Sequence, residues 1–276
     1  VRDIPAYLAS RSEDGLLPFR VQAEAAASSS LHLGDVEKIA LENGLLPARY
    51  LRNRNMISTE QQLALLQSRV AVFGCGGLGG YIIEELARLG VGHLVVVDPD
   101  VFEEHNLNRQ LFSSMSLLGE KKVNAALRRV AEINPAVRVR AIDAEVTEEN
   151  GPAILEKVTV AADGLDSVPA RRTLAGLCAR LAIPLVHGAI AGWYGHVASQ
   201  FPGEETLEML YARKQDKGIE TTLGNPSFTP AVIAGLQVAE IVKIVLQTGE
   251  NVRKRLFAVD LFHMEVNTFP LAGDDE

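Results

Sequence analysis

The stretch Val70-Ala71-Val72-Phe73-Gly74-Cys75-Gly76-Gly77-Leu78-Gly79-Gly80 limits what this chain can fold into more than any other. Four apolar residues bounded by glycines read as a short strand buried on both faces, the kind found inside a parallel sheet. Glycine fills five of the seven positions 74–80, which permits a tight turn and a close approach of backbone N–H groups to an anion. A helix is expected to follow over about 79–89.

The same alternation continues downstream. A second buried strand over 94–97 ends at Asp98, and a helix over 120–133 leads to a strand at 137–142. A strand over 158–162, a helix over 168–181 and a strand at 184–186 complete the pattern. Strands alternating with helices predict a mostly parallel sheet. Beyond His187 the residues 195–201 and 256–260 are strand-like and are separated by one long helix, 230–246, which predicts an antiparallel extension of that sheet. The fold expected is therefore α/β, a doubly wound, Rossmann-like and mostly parallel sheet with an antiparallel C-terminal extension. Upstream, Pro5, Gly15 and Pro18 interrupt any long helix and 25–30 reads as a loose linker, while 34–43 reads as a short amphipathic helix stopped by Asn43-Gly44. This divides the chain into a small N-terminal helical arm, 1–48, and a main domain, 49–276.

Composition narrows the functional classes. With 27 basic and 35 acidic residues the net charge is −8, so the electrostatic footprint of a nucleic-acid binder is missing. Two cysteines are too few for a disulfide framework or a four-cysteine zinc site and fit a reducing compartment. The first ten residues hold no basic segment followed by an apolar stretch, and no run of 18 apolar residues occurs. A cytoplasmic protein that does not enter a membrane is expected.

Gly74, Gly76, Gly77 and Gly79 at the start of a helix make a phosphate cradle, and Asp98 at the end of the next strand is placed to accept from ribose hydroxyls. Alone, this motif would favour a nicotinamide-dependent dehydrogenase. The residues that follow change the reading. Asn106, Asn108 and Arg109 lie in a charged segment, and Lys122 follows 13 residues after Arg109. Hydride transfer builds up no extra charge on phosphorus, whereas attack of a carboxylate on a phosphate brings two anions together and needs fixed cations. Asp163 and Asp166 fall just past the fourth strand, on the sheet edge where such folds bind ligands, and either can hold Mg²⁺; Asp166 is preferred. Lys122 also fits a solvated basic helix face, and Asp166 also fits the N-cap of the next helix.

Taken together, 69–80, Asp98-Pro99-Asp100, Asn106-Leu107-Asn108-Arg109-Gln110, Gly119-Glu120-Lys121-Lys122, Asn134-Pro135 and Asp163-Gly164-Leu165-Asp166-Ser167 resemble the adenylation domain of the ubiquitin-activating-like superfamily, most nearly its bacterial ThiF, MoeB and HesA branch. The resemblance runs from about Arg49 to the C-terminal strands. It implies adenylation, with ATP and Mg²⁺, of the C-terminal glycine of a small ubiquitin-like sulfur carrier ending in diglycine, with release of pyrophosphate. It also implies that Gly77 approaches the phosphates, Asp98 binds ribose, Asn106, Asn108, Arg109 and Lys122 contact phosphate, and Asp166 serves the metal beside Ser167. The segment Arg49-Tyr50-Leu51-Arg52-Asn53 resembles one from which an arginine reaches the ATP of a partner subunit; Arg52 is the candidate, and a homodimer follows.

The chain departs from some relatives in two ways. It lacks paired Cys-x-x-Cys motifs, and His187, His196 and His263 have no thiolate near them in sequence, so no structural zinc is expected. The polar crossover, 202–225, contains no cysteine to carry a transferred group. Cys75 stands in the glycine turn, where a helix N-terminus can lower a thiol pKa, but a small residue tolerated in a tight loop is the simpler account, and Cys178 reads as buried and inert. Trp193 and Tyr194 fit either a channel for a diglycine tail or sheet-edge packing. The alternatives to carrier adenylation are an NAD(P)-binding oxidoreductase, a catalytically silent nucleotide-binding homodimer and, within the family, adenylation of another carboxylate or of a modified tRNA base.

Overall fold

The computed structural model describes residues 3–211 and 223–271. The central part of the polar crossover, 212–222, lies outside the described residues.

The arm is more regular than the sequence suggested. It contains α1 (Ile4–Ala9), β1 (Leu16–Leu17), α2 (Phe19–Ser29), α3 (Leu33–Glu42) and β2 (Leu46–Pro47), which pairs parallel with β1. The linker expected over 25–30 is instead the last turn and a half of α2. Pro18 starts this helix from its N-cap, where a missing N–H takes nothing from the ladder, and Ser30 ends it in the left-handed region at φ 54°. Leu8, Leu17, Val21, Ala25, Val36 and Ala40 form the arm's own core.

A 3₁₀ turn (Ala48–Asn53) and α4 (Thr59–Gln67) join the arm to the sheet. α4 opens with a reciprocal cap in which Ser58 Oγ accepts from Gln61 N and the Gln61 side chain accepts from Ser58 N. The main chain then runs through β3 (Arg69–Phe73), α5 (Gly77–Leu89), β4 (His93–Val97), α6 (Lys122–Ile133), β5 (Arg138–Ile142), α7 (Gly151–Ile154), β6 (Val160–Asp163), α8 (Val168–Arg180), β7 (Leu185–Ala191), β8 (Tyr194–Gln200), α9 (Thr206–Leu210), α10 (Phe228–Leu246), β9 (Arg255–Asp260) and β10 (Glu265–Pro270). The eight-stranded sheet has the order β10-β9-β8-β7-β6-β3-β4-β5. Strands β5, β4, β3, β6 and β7 are mutually parallel, and β8, β9 and β10 each run antiparallel to the preceding neighbour.

The two-residue period of a strand divides the core. Val70, Val72, Leu94 and Val96 face the cluster built with α5, α6 and α10, while Ala71, Phe73, Val95 and Val97 face the one built with α7 and α8. This double burial is why β3 and β4 read as continuous apolar runs. α10 is long and apolar enough, by length and composition, to cross a bilayer, with a mean hydropathy of 1.6. Its Ile233, Ala234, Gln237, Val238 and Ile241 are buried, against α5 and the sheet. β10 was not expected: it is exposed along its length on the sheet edge, so no burial pattern marks it.

Candidate functional site

The carboxyl ends of β3, β4 and β6 meet at the point where the strand order reverses, and there they enclose a cleft of about 330 Å³. Its floor is the glycine turn. Gly74 has φ +88°, and a Cβ there would stand 2.5 Å from Gly164 O; a Cβ on Gly79 would stand 1.7 Å from Gly74 O. Backbone contact at both positions admits only glycine. Gly76 caps α5 and Gly77 begins it, so the partial positive charge of the helix end opens into the cleft beside N–H groups.

Asp98 is buried at the rim of the turn. Its Oδ2 accepts from Cys75 N at 2.6 Å and its Oδ1 from Asp100 N at 2.8 Å. Burial raises its pKa, against the lowering effects of those N–H groups and Lys122. Lys122 is only 6% exposed, and its Nζ lies 2.8 Å from Asp100 Oδ2. Arg109 stands at the mouth, donating from Nη1 to His105 O at 3.1 Å and Asn108 Oδ1 at 2.9 Å. A Cβ on Gly77 would be 3.9 Å from Arg109 Nε, so the guanidinium overhangs the start of the helix. On the facing wall Asp166 is exposed, without a hydrogen bond or ion pair among the described residues. Ser167, not Asp166, caps α8, its Oγ accepting from Ala170 N at 3.4 Å.

Of the residues expected in the site, Gly74, Gly76, Gly77, Asp98, Arg109, Lys122, Asp166 and Ser167 line this cleft. Gly79 lies one turn behind it. Asn106 and Asn108 are not among the residues that line the cleft. Asn106 is buried with its Oδ1 accepting from Glu103 N at 3.0 Å, and Asn108 Nδ2 donates to Asn225 O at 3.0 Å. Both brace the loop that carries Arg109. Arg52 is exposed on the 3₁₀ turn. Its neighbour Tyr50 is packed at Gly90 and Asn134, toward the amino ends of the strands and away from the chain's own cleft. Asp163, the other metal candidate, is fully buried and committed to Leu165 N and His187.

Sequence reading missed three contributors to the cleft. Asp100 is the counter-ion of Lys122, and only the spacing Asp98-Pro99-Asp100 hinted at it. Gln110, next to Arg109, is buried in the lining with an Oε1 that has no partner among the described residues. Arg171 is buried in the wall and donates to Leu165 O from Nη2 at 2.6 Å; its place on a helix gave no signal of this.

The remaining candidates fall outside the cleft. Trp193 and Tyr194 are exposed, and Trp193 packs on Phe228 and Phe262 with ring centroids 4.5 and 5.6 Å away. Cys75 is buried, and burial pushes its thiol pKa well up, contrary to an activated thiolate; Cys178 is pushed up to about 12 by burial and by Asp163. His263 is exposed beside Asp260, apart from His187 and His196. Among the described residues no group of three or more His, Cys, Asp or Glu is arranged to hold a metal.

The chain is 35% identical over 227 residues to the SAMP-activating enzyme E1 of Haloferax volcanii, a match covering 80% of this chain and 84% of that protein. It is 32% identical to the sulfur carrier protein adenylyltransferase of Thermus thermophilus, covering 74% of this chain and 79% of the relative. Against adenylyltransferase and sulfurtransferase MOCS3 of Arabidopsis thaliana it is 30% identical and spans about half, 52%, of that longer protein. Among solved structures, crystalline PaaA superposes with a TM-score of 0.67 at 18% identity, covering 87% of this chain and 82% of that one, which speaks to fold alone. The model of the ThiF family matches residues 50–276, from the 3₁₀ turn through every strand of the large sheet, and the chain belongs to that family.

Proposed function

We propose that this protein is an adenylyltransferase that activates the C-terminal carboxylate of a small ubiquitin-like sulfur carrier with ATP, residues 49–276 being the adenylation domain. The observation that carries the reading is the gathering of Arg109, Lys122 and the unpartnered Asp166 around one glycine turn at a helix N-terminus. The relatives from Haloferax and Thermus, a SAMP-activating enzyme E1 and a sulfur carrier protein adenylyltransferase, support it.

In this reading the triphosphate lies over Gly76 and Gly77, whose open backbone admits it, and Asp98 accepts from the ribose. The carrier carboxylate attacks the α-phosphorus; the P–O bond to the β-phosphate breaks, and pyrophosphate leaves with the electron pair. Arg109 at the mouth and Lys122 inside offset the negative charge that builds on the phosphate oxygens. Lys122 exchanges Asp100 for phosphate, so its ammonium is paired before and after the nucleotide arrives. Asp166 fits Mg²⁺: it is a hard oxygen donor exposed on the cleft wall, and Mg²⁺ needs only one or two protein carboxylates because it keeps its waters. When bound, the ion neutralises phosphate charge. The reading includes a homodimer: the segment of Arg52 is anchored toward the amino ends of the strands, so a role for Arg52 at the nucleotide would be filled from a second copy.

The test is ATP–pyrophosphate exchange with each small diglycine-ended protein of the same organism. Wild-type protein supports exchange with one of them, and Arg109→Ala and Asp166→Ala each lower it by about 10²-fold or more. Unchanged exchange in both variants overturns the assignment, and a thermal shift with NAD(P) but not ATP replaces it with the oxidoreductase reading.

A further inference from the structure

Behind the cleft wall a set of buried polar groups takes no part in the chemistry above. Asp163, at the end of β6, and His187, on β7, are both fully buried, and His187 Nδ1 lies 2.7 Å from Asp163 Oδ2. A carboxylate only accepts, so Nδ1 carries the proton and Nε2 is the accepting nitrogen. Tyr211, just after α9, places its hydroxyl 3.1 Å from that Nε2, and the same hydroxyl oxygen accepts from Arg171 Nη1 at 2.9 Å. Arg171 in turn donates to Leu165 O from Nη2 at 2.6 Å and from Nε at 3.2 Å. Leu165 N donates to Asp163 Oδ1 at 2.9 Å and returns the path to its start.

The path is a closed ring: Arg171 to Tyr211, Tyr211 to His187, His187 to Asp163, and Asp163 to the Leu165 backbone, whose carbonyl comes back to Arg171. Both the N–H and the C=O of Leu165 are held by it, and the next residue is Asp166. From the other side the Leu165 turn is fixed by Gly164 N, which donates to Phe73 O at 2.8 Å. Asp166 itself has no hydrogen bond among the described residues, so its place on the cleft wall is set by the residues before it and by the start of α8. The ring costs desolvation of five polar groups, and groups from β6, α8, β7 and the residue after α9 are needed to close it. A turn that merely connected a strand to a helix would need none of this.

We infer that His187 and Tyr211 are positioning residues that act through Arg171 and the Leu165 peptide to hold the Asp166 carboxylate where a divalent cation bound to nucleotide phosphate meets it. The inference depends on the reading of Asp166 as the metal-holding residue.

The test measures ATP binding by calorimetry, with Mg²⁺ titrated in and separately in excess chelator, for wild type, Tyr211→Phe and Asp166→Asn. Tyr211→Phe keeps the edge-to-face contact with His187, whose centroid is 5.6 Å away, and removes only the hydroxyl. Its metal-free ATP affinity stays at the wild-type value, while the Mg²⁺ concentration for half-maximal enhancement rises about fivefold or more, because the hydroxyl's bonds to His187 and from Arg171 are both lost. Asp166→Asn raises it further. If Asp166→Asn shifts the Mg²⁺ dependence and Tyr211→Phe does not, the positioning role is wrong and the assignment of Asp166 stands. If Tyr211→Phe weakens ATP equally with and without Mg²⁺ and lowers the melting temperature, the ring is structural support only and the inference is overturned. If Asp166→Asn changes nothing, the metal assignment fails and takes the inference with it.

Discussion

Lys122 shows how much one side chain depends on its neighbour. Its ammonium is nearly removed from water, and the carboxylate 2.8 Å away belongs to the exposed Asp100. Removing that partner leaves a buried charge uncompensated, which is more destabilising than the pair is stabilising. Asp100→Asn is therefore expected to lower the melting temperature of the nucleotide-free protein, and saturating ATP is expected to recover most of the loss because phosphate replaces the carboxylate. Differential scanning fluorimetry with and without ATP measures both. At this scale the sequence was informative about residue type and poor about direction. The gathering of Arg109, Lys122 and Asp166 at one glycine turn was legible because the family resemblance named them together, and all three line the cleft. Asn106 and Asn108 stood in the same motif, yet Asn106 holds the backbone of its own loop and Asn108 ties that loop to Asn225 O, and no one-dimensional pattern separates a side chain that touches a ligand from one that braces the loop presenting it.

The strand, turn and helix formed by β3, 74–76 and α5 act as one element because their backbones touch. Gly79→Ala would set a Cβ 1.7 Å from Gly74 O, a backbone atom that cannot swing aside, whereas a Cβ on Gly80 finds nothing nearer than 3.6 Å. The first substitution is expected to destabilise by about 3 kcal/mol or more and the second by less than about 1 kcal/mol, as read from urea midpoints. β7 and β8 carry a second consequence. Burial lowers the pKa of His187, and burial together with the charges of His187 and Arg171 lowers that of His196 to about 3. Both are neutral in the folded state, while the unfolded chain binds protons near pH 6.5. Stability from these two groups is complete above about 6.5 and is lost as pH falls from there toward the folded values. Urea midpoints at pH 7.5, 5.5 and 4.5 are expected to fall, and the fall is expected to be shallower in His196→Gln. Elements with two buried faces or a sharp glycine boundary were legible in the sequence. α2 was not, because Pro18 and a serine-rich end look like interruptions until the proline is seen in the N-cap position, and β10 was not, because an exposed edge strand has no apolar rhythm to read.

On the scale of the whole molecule, the doubly wound sheet and its antiparallel extension were legible from the order of elements, whereas the place of the arm was not. Glu37, fully buried in α3, is held by Arg49 and Tyr50, and Arg49 and Tyr50 also bond Asn134, between α6 and β5. Asp35 pairs with Arg138 at 2.8 Å, at the first residue of β5. These contacts bring together residues about a hundred positions apart, which a single sequence does not reveal. They also bear on the proposed two-chain site. Arg52→Ala and Lys122→Ala chains, each inactive alone, are expected to recover about a quarter of wild-type exchange when mixed and allowed to reassort, because half the pairs are mixed and each has one intact site of two. No recovery, with mixed pairs shown to form, removes Arg52 from the mechanism. The arm is fastened where the parallel strands begin and the cleft opens where they end, so the full length of those strands separates the two. Within one chain, a body gripping the arm and another entering the cleft would approach from opposite ends of the strands.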